Sequence, residues 1–408
     1  MTDATLRGLV PPQVARILDL ARRHLEMDVA YVSTVDADEQ VVHSVCGDAE
    51  SFAISPGLAV PLDETYCSRM VSGDIPNVVP DARADPVVAG LPATERSGIG
   101  SYLAVPVTMA DGTLYGTFCC LSHDPHPELD RRDVGFMGML AELLADELEA
   151  DLARERGRER IQQLLTAGTI QVALQPIVEL ATGRCIGMEG LSRFPAGFGP
   201  PDVVFGAAHE VGLGDDLERL AVRSVFDMLQ SLPEHLYLAI NLAPSLALDL
   251  GTAVPEGVDV PWHRLVLEVT EHAVVESYVD LRAALKPLRK KGLRVAIDDA
   301  GAGYASLQHV VEMRPDIIKV DRSLIDGLAR DPARRSVVSG FVLLAFELGA
   351  SVLAEGVETA EDLAAARRLG VTSAQGYVID RPSIDPVDHK RWGTEQNLLA
   401  DVENRPTA

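Results

Sequence analysis

The chain has 408 residues, of which 36 are Lys or Arg and 61 are Asp or Glu, so its formal net charge is -25 at neutral pH. Hydrophobic residues make up 47% of it, a globular balance that excludes a largely disordered chain. So acidic a surface argues against duplex nucleic acid or an anionic membrane as a partner, although it permits a small anionic ligand held through a metal ion. The length predicts two or three domains.

No apolar run reaches the ~18 residues of a membrane-spanning helix. The first residues, MTDATLRGLVPPQ, lack the basic region and the apolar segment of a secretory signal. The cysteines are odd in number and show no metal-ligand spacing, which predicts a reduced, cytoplasmic protein without a disulfide framework. They are Cys46, Cys67, Cys119, Cys120 and Cys185.

The first 150 residues predict an antiparallel α+β domain. Two hairpins are expected, Val29–Val35 with Val41–Val45 and Tyr102–Thr108 with Leu114–Leu121, and an Asp-Gly turn closes the second. The stretch between them, about residues 46–100, is rich in Pro, Gly and Asp, which is typical of loops that cover a pocket or are disordered. An opening helix is predicted by the 3.6-residue spacing of Val14, Leu18, Ala21 and Leu25.

A closing helix is predicted from about Asp133 past Glu149, and it continues into an alternating charged run at residues 151–160. Its apolar stripe is short and heptad-like, so this segment is either a plain linker or a dimerising signalling helix. On the second interpretation, the protein is a homodimer. The stripe consists of Met137, Ala141, Leu144 and Leu148.

From residue 172 onward, short apolar runs alternate with helical patterns, which implies a parallel sheet buried on both faces. Eight such runs over about 230 residues fit a closed (β/α)₈ barrel. The link after the first run is too short for a crossover helix, so the first strand is expected to run antiparallel to the others. The runs are Val172–Val178, Cys185–Arg193, Leu236–Asn241, Leu265–Thr270, Leu293–Asp299, Ile317–Asp321, Ser351–Gly356 and Ser373–Tyr377. The clearest helices are Leu217–Leu229, Asp280–Lys290, Arg334–Leu348 and Glu361–Leu369.

Polar side chains stand at the ends of these strands, at the barrel face where active sites form. Most are carboxylates, which would repel one another and take up protons in a partly dry site unless cations fill it. Because neither His nor Cys is among them, we expect hard ions such as Mg²⁺ or Mn²⁺. The residues are Glu189, Asn241, Glu268, Glu271, Asp298, Asp299, Lys319, Asp321, Glu355 and Gln375.

The adjacent Asp298 and Asp299 indicate two ions that share one carboxylate. Two ions about 3.5–4 Å apart are the usual device for hydrolysing a phosphodiester, because they bind its nonbridging oxygens and lower the pKa of a water held between them. Lys319 can orient or deprotonate that water, or neutralise charge on the phosphorane. Any one of these carboxylates alone is more often a loop acceptor or a helix cap, but their repetition at successive strand ends favours a shared metal site.

These motifs resemble those of the EAL family of cyclic di-GMP phosphodiesterases over about residues 160–385. The matching segments are QPIVEL, EGLSR for EALxR, INLAPS for VNxS, LEVTE for ExTE, DDAGAGYASL for DDFGxGYSSL, IKVD for KxD, AEGVE and QGY. The resemblance implies a TIM-like barrel that hydrolyses one phosphodiester of cyclic di-GMP and releases linear pGpG.

The resemblance also implies a role for each strand-end residue. The implied ligands of the first metal are Glu189, Asn241, Glu268 and Asp298. Those of the second metal are Asp298, Asp299 and Glu355. The implied catalytic residues are Lys319, Glu189 and Glu355. The implied substrate-binding residues are Arg193 and Gln375. The implied supporting residues are Glu271, which would brace the loop after its strand, and Asp321.

Two positions depart from the family's pattern. Gly190 stands where the signature has Ala, and either small residue is expected to fit. Ala300 stands where the family usually has Phe. Losing a buried aromatic ring removes about 2–4 kcal/mol of stabilising free energy, so we expect the loop to hold Asp299 less firmly. This departure favours a rival interpretation, a degenerate EAL domain that binds cyclic di-GMP without cutting it.

The N-terminal part resembles GAF sensory domains through the looser signatures ETYCSRMV, VVPDARADP, GIGSYLAVPV and DGTLYGTFCCLS. Such domains bind cyclic nucleotides, tetrapyrroles, haem or nothing, and the resemblance does not select one of these. Cys67 is expected to be a packed thiol, and at least one of Cys119 and Cys120 is expected in the core. The GAF state is expected to set the hydrolysis rate. The predicted domains are GAF at 12–150, a helical linker at 151–162 and EAL at 163–392.

Overall fold

A computed structural model of the protein describes residues 12–35, 38–248, 250, 260–270, 275, 277–301, 306–394 and 396–403. The chain divides into two compact units, residues 1–156 and 157–408. Within the described ranges, no helix combines the length and the apolar character needed to cross a membrane.

The first unit is built on an antiparallel sheet of six strands in the order β3-β2-β1-β6-β5-β4. The strands are β1 (Val29–Val35), β2 (Glu39–Gly47), β3 (Ala59–Pro61), β4 (Val78–Val79), β5 (Ser101–Thr108) and β6 (Leu114–Ser122). The helices are α1 (Pro12–His24), α2 (Tyr66–Ser72), α3 (Pro92–Arg96) and the beginning of α4 (Arg131–Ala167), with a 3₁₀ turn at Leu62–Glu64. Both predicted hairpins and both flanking helices are confirmed.

This sheet packs on both faces. On one face, Leu18 of α1 and Met137 of α4 are buried together with Cys120. On the other face, Cys67 of α2 is buried together with Cys119. The two cysteines of β6 therefore belong to opposite cores, as the alternation of side chains along a strand predicts, and the expectation of a packed Cys67 thiol is confirmed.

The apolar stripe of α4 lies inside the first unit. Its residues Met137, Ala141, Leu144 and Leu148 are all buried in the cluster that contains α1 and one face of the sheet. The stripe is thus occupied by the domain's own core, so the inference of a dimerising seam from these residues is wrong. The charged run at residues 151–160 is helical as part of α4, and a homodimer remains a prediction without support from the stripe.

The second unit contains a closed barrel with the strand order β10-β11-β12-β13-β14-β7-β8-β9. Among the described pairs, β7 is antiparallel to both of its neighbours and the others are parallel, so the predicted antiparallel first strand is confirmed. The strands are β7 (Gln171–Glu179), β8 (Cys185–Arg193), β9 (Tyr237–Asn241), β10 (Leu265–Thr270), β11 (Arg294–Ala300), β12 (Ile317–Val320), β13 (Ser351–Ala354) and β14 (Ser373–Ala374).

Helices surround this barrel in the α/β order that the sequence predicts. They are α5 (Pro201–Glu210), α6 (Gly214–Ser231), α7 (Pro244–Leu248), α8 (Tyr278–Arg289), α9 (Ser306–Met313), α10 (Arg322–Ile325), α11 (Pro332–Leu348), α12 (Ala360–Leu369), α13 (Pro386–Trp392) and α14 (Ala400–Glu403), with a 3₁₀ turn at Trp262–Arg264. Gly349 and Gly370 end α11 and α12 with left-handed φ angles of 71° and 89°, a conformation that glycine adopts without a steric penalty.

Candidate active site

The barrel brings the carboxyl ends of neighbouring strands together at one mouth. Glu189 lies on β8, Glu268 on β10, Asp298 on β11 and Lys319 on β12, while Glu355 directly follows β13. All four carboxylates have an oxygen within 4 Å of the Lys319 Nζ atom. The convergence predicted from the strand ends is therefore present for these five residues.

Lys319 is the positive centre of the cluster. Its Nζ lies 2.7 Å from Asp298 Oδ1 and 2.9 Å from both Glu268 Oε1 and Glu355 Oε1, with Glu189 Oε1 farther away at 3.8 Å. The side chains of Lys319 and Glu268 are each only 1% exposed. A lysine this deeply buried is uncommon, and an ammonium group without hydration persists only where opposite charges surround it.

Burial and the crowding of like charges control ionisation here. Burial, reinforced by the carboxylates of Glu189 and Asp298, raises the pKa of Glu268 well above its usual range although Lys319 opposes this. The pKa of Glu355 is raised well above its usual range by the same causes. Burial alone would lower the pKa of Lys319, but the carboxylates around it, Asp298 foremost, raise it well above its usual value.

A backbone irregularity turns Asp299 towards the same cluster. In a regular strand, adjacent residues face opposite sides, so Asp298 and Asp299 would point apart. The register of β11 against β12 shifts between Ile297 and Ala300, and Asp299 has a φ angle of 54°. Asp tolerates this left-handed conformation better than most residues do. The irregularity brings both carboxylates within reach of Glu355.

Two groups of carboxylates have the spacing of metal ligands. In each group, one oxygen per residue lies within 4.8 Å of the others, and Asp298 belongs to both groups. Among the described residues, Glu268 Oε2 is buried without a hydrogen-bond partner, which costs free energy unless a cation contacts it. The donors are all oxygen atoms, which suits Mg²⁺ or Mn²⁺. The groups are Glu189, Glu268 and Asp298, and Asp298, Asp299 and Glu355.

Amide side chains orient Glu189. Asn241 Nδ2 donates to Glu189 Oε1 at 3.1 Å, and Gln375 Nε2 donates both to Glu189 Oε2 and, at 2.9 Å, to Gln175 Oε1. Gln175 in turn donates to the Asp380 carbonyl oxygen at 3.1 Å. Sequence reasoning did not identify Gln175, and its only signal was a position inside the QPIVEL segment.

The remaining predicted residues do not join the cluster in the described structure. Arg193 ends β8 and is partly buried, and its guanidinium donates to the neighbouring carbonyl oxygen. Asp321 caps α10, where its side chain accepts a hydrogen bond from Ser323 N at 2.9 Å. Glu271 lies outside the described residues.

The family model of the EAL domain matches residues 158–382, and that of the GAF domain matches residues 13–148. The two matches follow one another in the order that the sequence motifs predict. The predicted strand-end residues of the barrel all lie within the first match.

Curated relatives match long stretches of the chain. The "Probable cyclic di-GMP phosphodiesterase PdeB" of Escherichia coli is 30% identical over 276 residues, which are 64% of this chain and 52% of the relative. The "Cyclic di-GMP phosphodiesterase PA2567" of Pseudomonas aeruginosa is 28% identical over 373 residues, which are 85% of this chain and 60% of the relative. The chain spans only 32%, 52% and 45% of the length of three curated relatives that it matches.

Among solved structures, an EAL domain protein from Listeria monocytogenes matches with a TM-score of 0.50 at 24% identity, over 57% of this chain and 94% of that chain. This likeness bears on the fold alone and agrees with a TIM-like barrel. The EAL match covers more than half of the 408 residues. The chain therefore belongs to the EAL domain family and carries a GAF domain ahead of its barrel.

Proposed function

We propose that the protein hydrolyses cyclic di-GMP to linear pGpG at the barrel mouth with two divalent cations. The observation that carries this proposal is the Lys319 cluster, a buried ammonium surrounded by four carboxylates that, together with Asp299, form two groups with metal-ligand spacing. The relatives named as cyclic di-GMP phosphodiesterases support the choice of substrate.

When bound, a pair of such cations would lower the pKa of a water and neutralise charge on a phosphate group. Either Mg²⁺ or Mn²⁺ suits ligands of this type. The residues proposed for the first cation are Glu189, Asn241, Glu268 and Asp298. Those proposed for the second cation are Asp298, Asp299 and Glu355.

Lys319 fixes these ligands and supplies positive charge. Its ammonium lies 2.7–2.9 Å from one oxygen each of Glu268, Asp298 and Glu355, so it draws the three carboxylates together. An ammonium held by three carboxylates keeps its proton. Lys319 is therefore better suited to orienting the attacking water and neutralising phosphorane charge than to removing a proton from it.

Two polar side chains are proposed to hold the dinucleotide. The guanidinium of Arg193, at the end of β8, has the fork geometry that binds phosphate through two hydrogen bonds. The buried Oε1 atom of Gln375 lacks a partner among the described residues and is available as an acceptor. Glu271 and Asp321 are proposed as supporting residues of the adjoining loops.

We further propose that the GAF domain, at residues 12–150, regulates this hydrolysis through a helical linker at 151–162 that leads into the EAL domain at 163–392. The linker segment lies within α4, a helix of 37 residues. A continuous helix is a stiff connection, so a change at its beginning can be transmitted along it.

A receptor that binds cyclic di-GMP without cutting it is the second candidate function. One observation favours it: Ala300, at the position where the family usually has Phe, is completely buried at the end of β11 next to Asp299. Hydrolysis remains the preferred function because the chain has Glu189, Asp298 and Lys319, which the resemblance implies for metal binding and catalysis, and both carboxylates lie within 4 Å of the Lys319 ammonium.

The two candidates are separated by mixing the full chain with cyclic di-GMP and Mn²⁺ and measuring pGpG by chromatography. We expect pGpG from the wild type, its loss in Glu189→Gln, and its retention in Glu312→Gln. Glu312 is a matched control. It lies near the end of α9, away from the cluster, and its partly exposed carboxylate pairs with Arg282 of α8. Binding of the dinucleotide without any pGpG from the wild type would establish the receptor instead.

A further inference from the structure

The GAF unit buries two thiols in direct contact. Cys67 of α2 and Cys119 of β6 have Sγ atoms 2.9 Å apart, and their side chains are 1% and 0% exposed. A disulfide bond is about 2.05 Å long, so a movement of about 0.9 Å would join them. Since 52 residues separate the two positions, their contact is produced by the tertiary fold.

Buried polar groups surround this pair on an otherwise apolar face of the sheet. The Tyr31 hydroxyl lies 3.6 Å from Cys67 Sγ, and Thr117 Oγ1 lies 3.3 Å from Cys119 Sγ. Thr117 is hydrogen-bonded to Ser33 at 3.0 Å, and Gln40 Nε2 donates to Ser33 Oγ at 2.6 Å. Hydroxyl and amide groups buried next to a sulfur can stabilise it when it becomes charged.

The hydrogen bonds distinguish the two sulfurs. Burial opposes ionisation of Cys67, yet hydrogen bonds from Cys119, Thr117 and Tyr31 lower its pKa to about 6. Burial and the neighbouring Cys67 raise the pKa of Cys119 well above its usual value. A thiolate beside a protonated thiol is the arrangement in which one sulfur attacks an oxidant and the other resolves the product.

We propose that Cys67 and Cys119 are an oxidative modification site that hydrogen peroxide converts into a disulfide. The Cys67 thiolate attacks one peroxide oxygen, the O–O bond breaks, and the departing hydroxide takes up the proton that Cys67 released on ionising, which gives water. The Cys119 sulfur then attacks the resulting sulfenic acid. The S–S bond forms as the S–O bond breaks, and the hydroxide leaves with the Cys119 proton as a second water. The two sulfurs lose two electrons in total, and the peroxide gains them.

The cross-link would attach α2 to β6, a strand that lies between β1 and β5 in the sheet. Because both sulfurs are buried, the oxidant must be small and uncharged, and bulky alkylating reagents should react with this pair slowly while the domain is folded. Disulfides of reduced compartments are usually transient and redox-sensing. This disulfide would therefore form under oxidising conditions whether or not the barrel has bound cyclic di-GMP.

The test treats the reduced full chain with hydrogen peroxide, blocks the remaining thiols with iodoacetamide in denaturant, and identifies linked peptides by non-reducing mass spectrometry. We expect a linked Cys67–Cys119 pair that dithiothreitol releases. Trypsin leaves Cys46 on the peptide of Cys67 and Cys120 on that of Cys119, so the assignment is repeated in the variant Cys46→Ala/Cys120→Ala, which should form the same link.

Cys120 is a matched control, because it is equally buried and adjacent in sequence but lies on the opposite face of the sheet. In Cys119→Ala, Cys67 should stop at sulfenic or sulfinic acid. The result with the wild-type protein does not depend on the variants, so it remains valid even if a variant fails to fold. The proposal is overturned if Cys67 and Cys119 of the peroxide-treated wild type are both recovered as alkylated thiols, or if Cys67 becomes sulfinic acid without any link.

Discussion

At Lys319 a single ammonium group lies among four carboxylates and offsets part of their mutual repulsion. Its three close contacts are with Glu268, Asp298 and Glu355. Removing one partner from a buried group of charges is far more costly than removing an exposed charge, because the remaining charges keep their loss of hydration and lose their attraction. We therefore expect Lys319 to stabilise the barrel mouth independently of the role proposed for it in hydrolysis.

We predict that Lys319→Ala lowers the free energy of unfolding by about 3–5 kcal/mol in the presence of EDTA. Mn²⁺ should restore part of this loss, because divalent cations would supply the missing positive charge. Lys390→Ala, which removes an exposed lysine of α13, is the control and should change stability little. Thermal unfolding of the three proteins with and without Mn²⁺ measures the effect, and equal stability of the two variants in EDTA would contradict it.

Substitutions of Asp299 should separate backbone strain from ligand chemistry. Asp299→Asn keeps a residue that tolerates the φ angle of 54°, so we expect near wild-type stability but a loss of hydrolysis by about 100-fold or more. Asp299→Ala should lose activity and also about 1 kcal/mol of stability. Chemical denaturation and pGpG formation are measured for both variants. Wild-type activity in Asp299→Asn would remove Asp299 from the proposed ligands.

The residue types at the strand ends could be predicted from sequence because each lies at the end of a recognisable apolar run. The orientation of Asp299 could not, since it depends on a shift of register in β11. The contact of Gln175 with Gln375 could not either, because the two residues are 200 positions apart. In both cases the information lies in the pairing of strands and not in the local pattern.

At the scale of elements, the last barrel strand is a short one whose position depends on a glycine. β14 has two residues, and Gln375 and Gly376 directly follow it. A Cβ atom on Gly376 would lie 2.1 Å from Val357 O and 2.2 Å from Val357 N. This close approach of two backbone segments fixes Gln375, which in turn orients Glu189.

We predict that Gly376→Ala destabilises the protein by about 1–3 kcal/mol, because the added methyl group forces the two segments apart. It should also weaken hydrolysis by displacing Gln375. The control is Gly340→Ala in the interior of α11, where a Cβ would meet nothing within 4 Å, and which should stabilise by about 0.5–1 kcal/mol. Opposite shifts of the thermal midpoint support the interpretation, whereas shifts of the same sign argue against it.

Sequence patterns predicted the long elements well and the short ones poorly. The limits of β8 and β10 were predicted correctly, since continuous apolar runs mark them. Strands β3 and β4, of three and two residues, are too short to show a period. The stripe of α4 was real, but periodicity alone does not tell whether a helix packs on its own domain or on another chain.

Across the whole molecule, we expect the GAF domain to regulate hydrolysis in the barrel. Deleting residues 1–150 keeps the part of α4 that packs on the second unit, since Ile161 and Leu164 are buried with α5 and α6. We therefore expect a folded protein whose specific activity differs from that of the full chain by about 5-fold or more, a typical strength of coupling between sites. Rates and oligomeric state are compared by pGpG formation and light scattering, and no change in either would refute the coupling.

Two-metal hydrolysis at the barrel mouth would make pGpG formation depend on divalent cations, which one assay measures. The full chain is stripped with EDTA, supplied with cyclic di-GMP, and assayed for pGpG before and after Mg²⁺ or Mn²⁺ is added, with the number of bound cations counted by calorimetry. We expect no pGpG without cations, full recovery with them, and two cations bound per chain. Undiminished pGpG formation in excess EDTA would contradict two-metal hydrolysis.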